Sequence, residues 1–425
     1  MKDHKLLLHS LLSIIARFVG VGLNFSVRIL ITRTLPMSEA GILFLLMTFI
    51  PGVSLLSRIG LEQLLVKEVA SADDNNLAFR SAFLKNSYKL TIISSLVITA
   101  LWLLASPLIQ DWFFHNEISL HKLMWAGCGL FFSSLVIINT FYLKAIKRTV
   151  SSVLVERALP AFTFLVLLAL FWNGFKLDQQ YIQLYTLSLV AAGIISLLIT
   201  LPYIQKGKLS NKATNVPKIR AMAKQSLPLA PVSFFSFIML WADSLMVGFF
   251  LDTAQVALFN TAATVSFVSL FFLGALDSTI YPRLLNIAKQ KASQLPAFFW
   301  QATLLVVLIL LSVTALMALF SAPILTVFRE EYTVAQTSLM ILLLAQFLRA
   351  VSLTFSFMFI IREKVRYLNI ILVLSLIINL SGNIALIKLY GMEGAALATL
   401  LANGFLALSV ILVFFKKRLL QEPHA

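Results

Sequence analysis

The 425-residue chain is apolar and basic: 60% of its residues are hydrophobic, 12% are charged, and the formal net charge is +16. A soluble globular domain has about a quarter of its residues charged, so this composition excludes that class. The charge does not indicate a nucleic-acid-binding protein, because the lysines and arginines are scattered through short loops instead of lying on one soluble domain. We interpret them as an orientation signal that also attracts anionic lipid headgroups.

Long apolar runs follow one another along the whole chain. A helix needs about 20 apolar residues to cross some 30 Å of hydrocarbon, and about twelve runs reach that length. They lie near residues 10–35, 40–66, 84–106, 121–143, 153–175, 181–204, 227–251, 255–281, 297–321, 334–361, 366–389 and 393–415. The first run carries Arg17 and Arg28 and lacks a small-residue cleavage site, so we predict a spanning helix there and not a secretory signal.

Basic residues fall mainly into every second gap between the runs. Roughly 23 of them lie in the even-numbered gaps and the two tails, and about 5 lie in the odd-numbered gaps. Because basic loops stay in the cytoplasm, both termini are predicted to be cytoplasmic. The longest loop, 205–226, lies on the same side and separates an N-terminal six-helix lobe, 1–204, from a C-terminal six-helix lobe and short tail, 227–425. The sequence therefore predicts an all-α integral membrane protein.

Several predicted spans of the first lobe contain arginine. An arginine at the centre of a spanning helix costs about 2.5–3.5 kcal/mol without water or partners. Arg17, Asn24 and Arg28 are spaced by seven and four residues, which places them on one face of the first helix. Arg58 lies in the second run, four residues before Glu62. We expect the three arginines and Asn24 to bind substrate in a cationic cavity.

Each of these residues also has an alternative interpretation. Arg58 and Glu62 are close enough on a helix to pair with each other. Arg17 and Arg28 are near the two ends of their helix, from which long side chains reach the headgroup layers.

In the second lobe, Arg349 of the tenth run is predicted to be the deepest arginine, on a polar stripe with Gln346, Ser352 and Ser356. We expect Arg349 and Gln346 to contribute to the same substrate site. Asp243 of the seventh run is predicted to lie at a similar depth in the membrane. Its depth differs from that of Arg349 by about 6 Å. It is predicted either to couple transport to an ion or to form a structural ion pair with Arg349.

Sequence signals for catalysis and for metals are absent. The chain has no GxSxG, P-loop, HExxH or paired CxxC motif, and its one cysteine, Cys128, excludes a disulfide within the chain. No cofactor, metal site or catalytic residue is predicted. An ion gradient, the membrane potential or substrate flow is then expected to supply the energy.

Stretches in both lobes resemble the polysaccharide transporters. In the second lobe these are QSLPLA at 225–230, WADSLMVG at 241–248, QVALFN at 255–260, NIALI at 383–387 and YGMEGAALAT at 390–399. In the first lobe they are EAG at 39–41 and RIGLEQLLVK at 58–67. The chain is thus similar to the O-antigen type of lipid-linked oligosaccharide flippase, within the multidrug, oligosaccharidyl-lipid and polysaccharide exporter superfamily.

This resemblance implies two six-helix bundles around a central cavity that faces each side of the membrane in turn. The implied cargo is an undecaprenyl-diphosphate-linked oligosaccharide repeat unit, flipped from the cytoplasmic to the periplasmic leaflet of a bacterial inner membrane with ion coupling. The implied partners are membrane lipids, glycan polymerase and chain-length machinery, and no nucleic acid. The drug-exporting branch usually keeps acidic residues in the first lobe, whereas this chain has Arg17 and Arg28 there, which favours an anionic cargo.

Two other classes of protein remain open at this point. One is a cation-coupled antiporter for small molecules of the drug type. The other is a membrane-embedded glycan transferase or polymerase, which usually requires a larger external loop than this chain offers.

Overall fold

The computed structural model describes residues 2–72, 76–171, 177–208, 216–290 and 292–420. Side chains are described in these ranges except at 2–11, 177–179, 206–208, 271–279 and 292. In these residues all regular secondary structure is helical, without a β-strand. By its contacts it forms two compact units, Met1–Trp241 and Ala242–Ala425.

In the described residues, the first unit contains ten complete α-helices and the part of α11 up to Trp241. They are α1 (Lys2–Thr34), α2 (Met37–Arg58), α3 (Leu61–Ser71), α4 (Leu77–Phe114), α5 (Leu120–Ala126), α6 (Gly129–Ala145), α7 (Thr149–Val153), a π-helical turn (Leu154–Ala158), α8 (Leu159–Leu170), α9 (Leu177–Lys208), α10 (Ile219–Ser226), a 3-10 turn (Leu227–Leu229) and α11 (Ala230–Phe250).

The second unit contains the rest of α11 and the remaining helices. They are α12 (Thr253–Gln290), a 3-10 turn (Ala292–Gln294), α13 (Leu295–Leu319), α14 (Ser321–Thr326), a 3-10 turn (Glu330–Ala335), α15 (Gln336–Ile361) and α16 (Val365–Lys416).

Within the described residues, 11 helical segments are long and apolar enough to cross a membrane. The last of them, Val365–Lys416, is 52 residues long and contains a break at Gly391, where φ is 59° and ψ is −136°. It therefore provides two spans, which agrees with the twelve predicted apolar runs. The protein is an all-α, multi-pass membrane protein. Of the predicted 205–226 loop, residues 205–208 end α9, residues 219–226 form α10, and 209–215 lie outside the described residues.

Large apolar side chains cover the outer surface of the spans. Leu104 of α4 is 78% exposed and Leu319 of α13 is 76% exposed, which would be costly in water. In a bilayer the lipid tails are as apolar as leucine, so these positions need no protein partner. Many hydroxyl and amide side chains instead lie inside each unit, as Asn139 does in α6 by donating to Ser196 Oγ of α9 at 2.8 Å.

Two breaks shape the helices that carry the polar residues. Ile59 and Gly60 both have positive φ, 54° and 75°, and end α2 before α3 begins. A Cβ at Gly60 would lie 2.4 Å from the backbone nitrogen of Ala230, so only glycine permits this approach to the start of α11. In α16 the two parts around Gly391 pack antiparallel, since Ser375 Oγ donates to the Ala402 carbonyl at 2.9 Å.

Candidate functional site

Asp243 in the second unit is surrounded by neutral hydrogen-bond donors. Its Oδ1 accepts from Asn379 Nδ2 at 2.9 Å and from Asn383 Nδ2 at 2.7 Å, and its Oδ2 accepts from Thr399 Oγ1 at 2.6 Å. Asn379 and Asn383 come from the first part of α16, and Thr399 comes from the part after Gly391. The break in α16 is therefore what brings donors from two spans to one carboxylate of a third.

We call Asp243 with Asn379, Asn383 and Thr399 the Asp243 cluster. No cationic side chain of the described residues lies within 4 Å of its carboxylate. Asn383 is fully buried, and its Oδ1 has no hydrogen-bond partner among the described residues. Its Nδ2 faces three oxygens, one of Asp243 and two of Asn379. Carboxylate, amide and hydroxyl oxygens are the ligands that hard cations prefer. The cluster therefore gathers oxygen atoms of the kind that bind hard cations around one carboxylate.

Arg349 of α15 lies half-buried in the same unit and is not paired with an acid. No carboxylate of the described residues lies within 4 Å of its guanidinium, although it interacts electrostatically with Asp243. A direct Arg349–Asp243 ion pair, one of the two predicted roles of Asp243, is thus not formed in this structure. The Arg349 charge is left available for another anion.

The remaining residues of the predicted polar stripe differ in what they offer. Gln346 is 2% exposed, and its Oε1 has no hydrogen-bond partner among the residues that the structure describes. The hydroxyls of Ser352 and Ser356 bond back to carbonyls of their own helix, at 2.6 and 2.7 Å. Only Arg349 and Gln346 therefore keep polar atoms free for a ligand.

In the first unit, Arg58 is buried with a carboxylate. Its Nε lies 3.5 Å from Glu62 Oε2, its Nη1 donates to Ser54 Oγ at 2.7 Å, and Arg58 and Glu62 are 4% and 1% exposed. This is the pairing that the spacing of four residues predicted as the alternative for Arg58. A binding role for Arg58 remains a prediction, and it would require the pair to open.

The polar residues of α1 have separate surroundings. Arg17 is exposed. Asn24 donates through Nδ2 to the carbonyls of Gly20 and Arg157, both at 2.8 Å, so it joins α1 to the π-helical turn. Arg28 is half-buried with its guanidinium 4.8 Å from the centre of the Phe44 ring, and its Nη1 has no hydrogen-bond partner in the described part of the chain. These three residues line one face, as predicted, but only Arg17 and Arg28 offer free donors.

Several residues around these sites were not predicted from the sequence. Asn379, Asn383 and Thr399 gave only the general signal of polar residues in apolar spans, and their convergence on Asp243 depends on the tertiary fold. Arg157 was not selected at all. Its signal was present, because two adjacent charged residues, Glu156 and Arg157, interrupt the apolar run shortly before Pro160.

The fold is similar to those of two membrane proteins of known structure. It is similar to the lipid II flippase MurJ in an inward closed conformation, with a TM-score of 0.67 and 14% identity over 97% of this chain and 87% of that one. It is also similar to the eukaryotic MATE transporter AtDTX14, with a TM-score of 0.64 and 11% identity over 97% of this chain and 96% of that one. At these identities the likeness shows the fold alone.

The family follows from the sequence match. The model for the family described as polysaccharide biosynthesis protein matches residues 7–288, and the chain belongs to this family. A relative is the probable low-salt glycan biosynthesis flippase Agl15 of Haloferax volcanii, 26% identical over 224 residues. That match covers 51% of this chain and 46% of Agl15, so it spans less than half of the relative.

Proposed function

We propose that this protein flips undecaprenyl-diphosphate-linked oligosaccharide repeat units, of the O-antigen type used in lipopolysaccharide, across a bacterial inner membrane. The direction is from the cytoplasmic to the periplasmic leaflet. The single observation that carries the proposal is that Arg349 and Arg17 lie in apolar spans without a carboxylate within 4 Å in the described residues.

A negatively charged cargo matches arginines that lie in apolar spans. Each unsupported arginine in a span costs about 2.5–3.5 kcal/mol, and a transported anion offsets that cost while it is bound. A diphosphate headgroup needs cations to cross hydrocarbon, and the planar guanidinium fork fits phosphate oxygens. The prenyl tail stays in lipid while the headgroup moves. Membership of the polysaccharide biosynthesis family supports an anionic glycolipid as the cargo.

We further propose that the Asp243 cluster couples this movement to a cation gradient. Binding of a proton or a small cation would neutralise Asp243, which would change its hydrogen bonds to Asn379, Asn383 and Thr399. Because these donors lie on both parts of α16, such a change would reposition that helix pair. Asp243 and Arg349 interact electrostatically, so neutralising the carboxylate would also strengthen the hold of Arg349 on an anion.

The test uses the purified protein in liposomes that contain a fluorescent undecaprenyl-diphosphate oligosaccharide. We expect labelled lipid to reach the opposite leaflet with unchanged mass, measured by its accessibility to a membrane-impermeant quencher and by mass spectrometry. A product of altered mass would instead indicate a transferase or polymerase. Failure to move the lipid, with or without an ion gradient, would contradict the proposal.

The coupling is tested in the same liposomes with the variant Asp243→Asn. We expect that lipid movement by this variant no longer depends on the ion gradient. Asp252→Asn is the control, since Asp252 is exposed at the start of α12 and binds the backbone nitrogen of Gln255, a capping bond that asparagine also makes. If Asp243→Asn still responds to the gradient as the parent does, the coupling role is wrong.

A cation-coupled antiporter of small molecules is the second candidate. The observation that favours it is the Asp243 cluster together with the similarity of fold to a MATE transporter. Uptake of a cationic dye by the same liposomes, driven by an opposite ion gradient, would support this candidate if the labelled lipid does not move.

A further inference from the structure

The fifth span contains a π-helical turn, Leu154–Ala158, between α7 and α8. Pro160 follows two residues later and has no N–H group, so the regular helical hydrogen bond at that position cannot form. The N–H of Leu159 bonds instead to the carbonyl of Leu154, five residues earlier. Such turns widen the helix locally and are frequent at functional sites.

α1 packs directly onto this turn. A Cβ placed on Gly20 would lie 2.7 Å from the Cβ of Arg157, so only a glycine at this position leaves room for the contact. One turn further along α1, Asn24 donates to the carbonyl of Arg157 at 2.8 Å. Arg157 is therefore held against α1 at both its side-chain base and its backbone.

The contact between Gly20 and Arg157 lies about one helical turn from Arg17 on α1. Arg17 precedes Gly20 by three residues, which is about 4.5 Å along the axis of α1. Both arginines are exposed, and in the described ranges of the chain neither has a carboxylate within 4 Å. Glu156, the acid next in sequence, is exposed and pairs with neither of them.

The two arginines also lie at similar depths. In the candidate spans Leu12–Thr34 and Thr149–Leu170, Arg17 is about 8 Å and Arg157 about 12 Å from the ends that are predicted to be cytoplasmic. Two guanidinium groups side by side repel each other, and an anion between them removes the repulsion. Phosphate oxygens are suited to two planar forks at once.

We propose that Arg17 and Arg157 together bind the lipid-borne phosphate of the cargo where it enters from the cytoplasmic leaflet, with Arg157 set in position by Gly20, Asn24 and the π-helical turn. This inference rests on the proposed function and adds to it a binding residue and an entry site. The same chemistry would also attract the phosphate of an ordinary anionic phospholipid, and the experiment separates the two sources.

Binding is measured with geranylgeranyl diphosphate as the probe, on purified protein in liposomes of phosphatidylcholine alone. We expect Arg157→Gln to weaken binding about ten-fold or more, as the loss of a charged hydrogen bond does. Arg157→Lys should retain part of the affinity. Glu156→Gln is the matched control, next in sequence and equally exposed, and should bind at least as well as the parent. The uncharged geranylgeraniol should bind parent and variants alike.

The double variant Arg17→Gln, Arg157→Gln should show a smaller fold-loss of affinity than the product of the fold-losses of the two single variants. We expect this because both arginines hold one phosphate group. The proposal is overturned if Arg157→Gln, shown to be folded by a single peak on size exclusion, binds the diphosphate as Glu156→Gln does. It is also overturned if the effect of Arg157 appears only after phosphatidylglycerol is added, since the arginines would then serve bulk lipid. A parent that binds the probe through Arg157 without moving labelled lipid would contradict the proposed function and leave this site intact.

Discussion

At the scale of single residues, the protein handles arginines in its spans in two ways. Arg58 is neutralised by Glu62 inside the first unit, whereas Arg349 in the second unit keeps its charge without an acid partner. The first arrangement contributes to a fixed structure, because both members are almost fully buried. In the second, no carboxylate of the described residues lies within 4 Å of the guanidinium, and this difference separates structural arginines from candidate binding arginines.

For Arg349 we predict that charge matters more than shape at a mobile, hydrated headgroup. Arg349→Lys should keep partial flipping activity, and Arg349→Ala should lose most of it, with both variants at normal abundance in the membrane. Arg329→Ala is a suitable control, because Arg329 is partly exposed and pairs with Glu331 at 2.9 Å. A lysine variant as inactive as the alanine variant would indicate bidentate phosphate recognition instead. Full activity of Arg349→Ala would remove the basis for an anionic cargo.

For Glu62 we predict an effect on folding. Glu62→Ala leaves the buried Arg58 without its countercharge and should destabilise the protein by about 3–5 kcal/mol. Replacing both members by apolar residues, Arg58→Met with Glu62→Leu, should be much less harmful because no charge stays buried. Thermal unfolding in detergent measures both. If the double variant unfolds as early as Glu62→Ala, the pair is needed for more than mutual neutralisation.

At the scale of elements, breaks in the helices decide which polar residues meet. α16 would extend about 78 Å as one continuous helix, far more than a bilayer, so it has to turn back. The turn at Gly391 makes an antiparallel pair, and this pair places Asn379 and Thr399 on the same carboxylate. The break at Ile59 and Gly60 likewise ends α2 beside the buried Arg58.

The turn of α16 gives a prediction about glycine. A Cβ on Gly394 would lie 2.1 Å from the carbonyl oxygen of Leu386, a backbone atom that cannot move aside easily. Gly394→Ala should therefore cost about 1–3 kcal/mol and lower the folded yield. Gly404→Ala, where the nearest atom would be Leu348 Cδ1 at 3.8 Å, should be tolerated. The folded yield and the melting temperature of the two variants are measured by size exclusion with fluorescence detection. Equal behaviour would show that the turn has room to relax.

At the scale of the whole molecule, the distribution of basic residues predicts the orientation of every span. The span Leu120–Ala145 offers a compact test, because Ser119 precedes it, Thr149 follows it, and both are exposed. In a background without the exposed Cys128, a membrane-impermeant maleimide applied to intact cells should label Ser119→Cys and not Thr149→Cys. Labelling of Thr149→Cys alone would reverse the predicted topology, while both sites should react after the cells are opened.

Much of the fold followed from the sequence alone. Spans were predictable because the hydrocarbon core imposes a length of about 20 apolar residues on each helix, and the orientation signal lies in local composition. Helix ends were less predictable. α4 runs from Leu77 to Phe114, well beyond its apolar run, because its ends depend on the Asn76 cap and the left-handed His115.

The candidate site shows the limit of sequence reasoning. The sequence by itself determined that charged and amide residues lie in apolar spans, because their cost in lipid marks them as exceptional. It could not determine partners, because a residue such as Asn24 looks the same whether it faces a cavity or bonds to Arg157. Only the tertiary structure decided that Asp243 is held by α16 and that Arg157 lies against α1. The physical reason is that helix–helix contacts between distant parts of the chain set these distances, and no local pattern encodes them.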